Sequence, residues 1–112
     1  MLYEFYTMST LDKIKSQVSD NRVILYMKGS PQFPQCGFSS RAVAALEDCA
    51  VEFAFVDVLS NPDIRADLPK FSNWPTFPQL FIDGELVGGS DIVLELHESG
   101  ELQKLLTTTE TE

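Results

Sequence analysis

The chain has 112 residues, 44% of them hydrophobic and 22% charged, which fits one ordinary globular domain and excludes disorder for the bulk of the chain. Eight Lys and Arg against seventeen Asp and Glu give a net charge of −9, too few cations for the basic face that nucleic acid or an anionic membrane requires. Two cysteines, Cys36 and Cys49, are too few for a secreted disulfide scaffold and fit a reducing compartment.

Residues 1–8 read as an N-terminal extension. With no basic n-region, no long apolar stretch and no Arg, they are expected to be neither a secretory signal nor a transit peptide. No apolar run approaches the ~20 residues of a membrane-spanning helix. Ser9 followed by Asp12 reads as a helix cap with an acidic third position, and Leu11, Ile14 and Val18 predict an amphipathic helix over about 10–19. Arg22 to Met27 is apolar on both faces and β-branched in part, which predicts a buried central strand. Gly29, Pro31 and Pro34 make 28–35 a loop. From Phe38 onward, Ala42, Ala45, Leu46 and Cys49 form one helical face, and Phe53 to Val58 reads as a second buried strand.

Asn61-Pro62 opens a short helix to about Leu68, and Pro69, Pro75 and Pro78 predict a loop over 69–78. Leu80 to Ile82 and Leu86-Val87 flank Asp83-Gly84, a strong hairpin signal. Ser90 or Asp91 is expected to cap a helix through Glu98. Gly100 breaks it, Leu102, Leu105 and Leu106 continue a last helical turn or two, and a polar tail follows over 108–112. The order α-β-α-β-α-β-β-α predicts an α/β fold in which a β-α-β unit supplies parallel strands and the hairpin supplies antiparallel ones. The result is a mixed four-stranded sheet flanked by helices on both faces.

Cys36 falls between the loop after the first strand and the start of a helix, the end of a βαβ unit where ligands bind. Unpaired N–H groups and the positive end of the helix favour a thiolate there, as does Lys28 at the end of the strand. Its pKa is therefore expected below the ordinary ~8.5. A redox pair needs Cys-x-x-Cys, but the fourth residue is Ser39. A phosphate-binding cysteine loop needs five residues between Cys and Arg, and Arg41 comes one too early. No phosphate-binding glycine loop is present, and the single histidine, His97, reads as a solvated surface residue.

Cys36-Gly37-Phe38-Ser39 resembles the signature of the monothiol (CGFS-type) glutaredoxins. Lys28-Gly29, Trp74-Pro75-Thr76-Phe77-Pro78 and Gly88-Gly89-Ser90-Asp91 match further motifs of that family, in order and at family spacing. The resemblance covers about residues 9–106 and implies a thioredoxin-like fold, with a glutaredoxin domain over 9–107. It also implies a glutathione site. Lys28 and Arg65 would hold the carboxylates, Thr76, Phe77 and Pro78 would form a cis-proline turn that pairs with the peptide, and Gly89, Ser90 and Asp91 would receive the γ-glutamyl group. Simple capping by Ser90 and Asp91 is compatible with that role. Trp74 reads as loop packing ahead of a binding aromatic. Cys49 lies thirteen residues beyond Cys36; three turns of helix would hold the two ~20 Å apart, beyond the ~7 Å limit of a disulfide, so it reads as structural. Many family members carry a cysteine where this chain has Ser90.

The resemblance implies two uses of Cys36. One is a labile [2Fe–2S] cluster bridging a homodimer, held by Cys36 and one glutathione from each side and passed to apo iron–sulfur proteins, with BolA-like proteins as further partners. The other is glutathione-dependent thiol–disulfide exchange (deglutathionylation) with Cys36 as nucleophile. A cytoplasmic setting suits both, and neither involves nucleic acid or a membrane.

Overall fold

The unbroken apolar run Val23–Met27 forms strand β1, buried at every position. A computed structural model describes residues 8–107; residues 1–7 of the expected extension and the expected tail over 108–112 lie outside the described residues. Helix α1 (Thr10–Asp20) precedes β1. Helix α2 (Gly37–Asp48), strand β2 (Ala54–Asp57), helix α3 (Pro62–Ser72), strands β3 (Gln79–Ile82) and β4 (Glu85–Gly88), and helices α4 (Ser90–Ser99) and α5 (Glu101–Thr107) follow. The sheet order is β2-β1-β3-β4. β1 pairs in parallel with β2, Ile24 opposite Ala54, and antiparallel with β3, Leu25 opposite Leu80. β1 is therefore apolar on both faces, as a strand covered by helices on both sides must be.

Alternation along β1 divides the core. Val23, Leu25 and Met27 join Leu80 and Ile82 beneath α2, α4 and α5, where Ala42, Leu46, Val93, Leu102 and Leu106 are buried. Ile24, Tyr26 and Phe81 face the other way, onto Ile14 and Val18 of α1 and Ile64 and Leu68 of α3. The Tyr26 and Phe81 rings meet edge to face at 5.7 Å. Asp83 and Gly84 both adopt positive φ, 52° and 83°, the backbone of a two-residue turn whose twist matches the flanking strands.

Several expectations change. α3 runs to Ser72 with Pro69 inside it, where a loop was expected. Buried Ile64 and Leu68, and Phe71 packed against the same cluster, draw the last turn onto the sheet despite the missing Pro69 N–H. Asn73 then stops the helix in the left-handed conformation, φ 58°. β2 is an edge strand with Phe55 41% exposed rather than a second buried strand. Leu11 is exposed although it shares the spacing of Ile14 and Val18. Gly89, not Ser90 or Asp91, caps α4. His97 stands partly exposed at the surface, as expected, and its Nε2 lies 2.8 Å from an Asp48 carboxylate oxygen, a link from α4 to α2. Ser9 caps α1 as expected, its hydroxyl accepting from the Asp12 N–H at 3.0 Å.

Arg22, just before β1, fastens α5. Its guanidinium donates to the carbonyls of Leu105 and Leu106 at the open end of that helix and pairs with Asp83 of the hairpin at 3.1 Å. Arg22→Ala is expected to cost about 1–2 kcal/mol, charged hydrogen bonds discounted for partial exposure. The urea midpoint measures this; an unchanged midpoint would mean that Leu102 and Leu106 dock α5 unaided.

Candidate functional site

A cleft of about 590 Å³ opens at the C-terminal end of β1, lined by Lys28, Cys36, Arg65, Thr76, Phe77, Pro78, Gly89, Ser90 and Asp91 among others. Every site residue expected from the sequence reaches this one cleft, although the nine come from four separate chain segments. Cys36 and Lys28 arrive on the loop after β1, and Arg65 arrives on α3. Thr76, Phe77 and Pro78 stand in the loop before β3, with a cis Phe77–Pro78 bond. Gly89, Ser90 and Asp91 open α4.

Cys36 is the N-cap of α2, in extended conformation, and its thiol is partly exposed. Burial pushes the thiol up. The N–H groups of Ser39 and Phe38, the Ser39 hydroxyl and the Lys28 charge together outweigh that penalty and hold it below the ordinary thiol value. Ser39 is fully buried. Its oxygen accepts from the Lys28 N–H at 3.1 Å, which leaves its own proton free for the Cys36 sulfur. In the sequence Ser39 stands out as the last residue of the Cys-Gly-Phe-Ser motif and as the absent second cysteine. Its spacing with Ala42, Val43 and Leu46, all buried on one face of α2, is the signal that it points inward.

Two more polar residues shape the cleft without having been singled out in the sequence. Fully buried Gln79 donates through Nε2 to the Trp74 carbonyl at 2.9 Å and the Thr76 carbonyl at 3.1 Å, and so shapes the loop from 74 to 78. A single amide in an otherwise apolar strand is a sequence signal for such a role. Asp57, at the end of β2, accepts from the Gly29 N–H at 2.9 Å. Trp74 packs on Gly89, where an added Cβ would lie 3.1 Å from the indole Nε1 and 3.2 Å from the Pro78 carbonyl. Packing is thus one role of Trp74, and its ring also lines the cleft.

The charge distribution at the cleft runs against that of the whole chain. Lys13, Arg22, Lys70 and Lys104 each have a carboxylate partner. Among the described residues, Lys28 and Arg65 have none, and Arg41, which lies 5.0 Å above the Phe38 ring, has none either. The buried hydroxyl of Ser90 and the indole N–H of Trp74 also lack partners. A cleft with spare cations and spare polar groups in a chain of net charge −9 suits a small anionic ligand. Cys49 takes no part: it is buried at the far end of α2, unbonded to Cys36, and burial and the charge of Asp48 push its thiol up.

The glutaredoxin family model matches residues 23–87, which span β1 to β4. The curated protein "Glutaredoxin 4" of Haemophilus ducreyi is 62% identical over 104 residues, covering 93% of this chain and 97% of that one. The chain belongs to the glutaredoxin family. With Ser39 four places into the motif and no other cysteine at the cleft, it is a monothiol glutaredoxin, and its sheet and helices are the thioredoxin-like fold. The solution structure of a monomeric truncated mutant of Trypanosoma brucei 1-C-Grx1 is 40% identical, with a TM-score of 0.79 over 90% of this chain and 91% of that one. A buckwheat glutaredoxin–glutathione complex is 27% identical, with a TM-score of 0.77 over 88% of this chain and 87% of that one.

The thiolate is the reactive form, so alkylation of Cys36 should rise with pH to a plateau and fall away as pH drops through its pKa. The midpoint is expected below the ordinary thiol value of about 8.5. Ser39→Ala removes one donor and should move the midpoint upward. Iodoacetamide rates across pH, followed by mass spectrometry, check both points, and Cys49 should stay unmodified until the chain unfolds. An unmoved midpoint in Ser39→Ala would assign the thiolate to the helix N–H groups and Lys28 alone.

Proposed function

We propose that this glutaredoxin binds glutathione in the cleft beside Cys36 and holds a labile [2Fe–2S] cluster between two copies of itself, for delivery to apo iron–sulfur proteins. The observation that carries the reading is one stabilised thiolate, with no second cysteine to resolve it, in a cleft lined by two cations that have no carboxylate partner among the described residues. A cluster of this kind takes four ligands, usually thiolates. One chain offers one, so two chains and two glutathione thiols complete the set. The bound tripeptide supplies the missing sulfur ligand on each side.

The chain's residues suit that tripeptide. Lys28 and Arg65 are charged partners for its carboxylate groups, and the backbone at Thr76-Phe77-Pro78 suits pairing with its extended peptide groups. The α4 N-terminus, with the unpartnered Ser90 hydroxyl, suits the γ-glutamyl carboxylate, and Asp91 suits its ammonium group. The buckwheat glutaredoxin with glutathione bound supports this reading at the level of the fold. A cluster bound half by dissociable thiols is exchangeable, which is what a carrier requires. We place this work in a reducing cytosol, where BolA-like proteins are candidate second partners.

A second reading uses the same thiolate as a nucleophile. Cys36 would attack the glutathione sulfur of a protein mixed disulfide and release the protein thiolate. A second glutathione thiolate would then attack the Cys36 adduct, regenerating the Cys36 thiolate and releasing glutathione disulfide. The partial exposure of Cys36 favours this reading.

Anaerobic reconstitution with iron, sulfide and glutathione, read by visible absorbance and size exclusion together, separates the two. The carrier reading expects a coloured dimer that bleaches to monomer when glutathione is withdrawn, and no colour in Cys36→Ser. A colourless monomer that still reduces a glutathione mixed disulfide would make exchange the primary activity. Arg65→Ala should weaken glutathione binding by about 1.5–3 kcal/mol, roughly 10- to 150-fold. An unchanged glutathione titration would remove Arg65 from the site.

A further inference from the structure

The loop from Lys28 to Cys36 is short, rich in Pro and Gly, and placed at the mouth of the cleft. Within it, the Gln35 N–H donates to the Lys28 carbonyl at 2.9 Å, and Gly29 forms an isolated bridge with Pro34. Gly29 has φ +92°, and a Cβ there would lie 2.5 Å from the Phe33 carbonyl oxygen and 2.7 Å from the Gln35 nitrogen. The loop is therefore folded tightly on itself, and its position relative to the sheet must be set from elsewhere.

Asp57 does this from the neighbouring strand. It stands opposite Met27 in the β1–β2 register, where the two strands end together. Its Oδ1 accepts from the Gly29 N–H and the Leu59 N–H, both at 2.9 Å, and its Oδ2 accepts from the Ser60 hydroxyl at 3.1 Å. Its carbonyl accepts from the Asn61 side chain at 2.9 Å, which ties the turn before α3 to the same point. Burial pushes the Asp57 carboxyl up, but the N–H groups of Gly29 and Leu59 and the Ser60 groups outweigh it, so the group stays an acceptor at neutral pH. One carboxylate thus links the segment that carries Lys28 to the segment that leads into α3, which carries Arg65.

We propose that Asp57 is a positioning residue: by clasping the Gly29 N–H it holds Lys28 and the Cys36 loop in place on the cleft. The inference deepens the reading of Cys36 and Lys28 as the working pair of the site and rests on it. The sign of the effect separates positioning from direct electrostatics. Removing a nearby negative charge favours a thiolate and would speed reactions of Cys36. Loss of positioning takes Lys28 and the Ser39 contact away from the sulfur and slows them.

The test is the rate of Cys36 alkylation by iodoacetamide at pH 7 in the full chain, with thermal unfolding as the check on folding. Asp57→Ala is expected to react about threefold more slowly or worse, as the thiol pKa rises with the loss of its supporting contacts. Asp57→Asn keeps an oxygen that accepts both N–H groups and should stay within about twofold of the parent, a rescue that depends on hydrogen bonding and not on charge. Asp57→Glu keeps the charge but displaces it by a methylene, and should be slow. If Asp57→Ala does not fold, Asp57→Glu decides. An Asp57→Ala or Asp57→Glu rate equal to or above the parent rate would overturn the proposal, as would an Asp57→Asn rate as slow as that of Asp57→Ala. A glutathione titration of the same variants should weaken in the same order. If the parent itself does not bind glutathione, the proposed function fails, while the alkylation rates still decide the role of Asp57.

Discussion

The Lys28 N–H donates to the buried hydroxyl of Ser39, the Lys28 carbonyl accepts from Gln35, and the next N–H along the chain donates to Asp57. Three consecutive backbone groups are thereby tied to helix, loop and sheet edge. This matters because a loop at the end of a strand has no ladder partner, and unpaired backbone groups there must find others. The side chains of Lys28 and Cys36 inherit their relative placement from these bonds. Ser39 contributes twice, receiving one hydrogen bond from the backbone and giving another to the thiolate. A cysteine in its place would do both weakly, since sulfur is a poor donor and a poor acceptor.

The electrostatics of the cleft follow from a competition. Burial works against ionisation of Cys36, and four favourable contacts reverse it, two of them from N–H groups at the start of α2 that exist only because a helix begins there. The surplus of carboxylates elsewhere leaves the cleft as a place where cations stay available. Lys13 and Arg22 have carboxylate partners and serve the fold, whereas Lys28 and Arg65 have none among the described residues and face the cleft. A protein of net charge −9 can in this way offer a local site for an anion.

Sequence reasoning went furthest where one physical signal acted alone. The apolar run of β1, the Asp83-Gly84 turn and the Ser9 cap each have a local cause, and each element formed where that cause lay. It fell short where burial competes with local preference. Pro69 argues for a loop, but packing of Leu68 and Phe71 carries α3 past it. Phe53 to Val58 looks buried because it is apolar, yet β2 lies at the edge of the sheet, and Phe55 remains partly in solvent. Ser90 has a capping side chain, but its hydroxyl makes no bond among the described residues while Gly89 takes the cap position.

The sequence by itself determined the order of elements, the mixed sheet, the single thiol at a helix start and the motifs that mark the glutaredoxin family. These rest on spacing, turn chemistry and residue type, which are properties of neighbours along the chain. Tertiary structure decided which partners make Ser39, Asp57 and Gln79 the supports of the cleft. Ser39 and Gln79 are polar groups buried by packing, and their partners are fixed by geometry. Asp57 meets Gly29, 28 positions away, only because β1 and β2 align in parallel and end together. A contact of that kind depends on strand register, which no local pattern in the chain encodes.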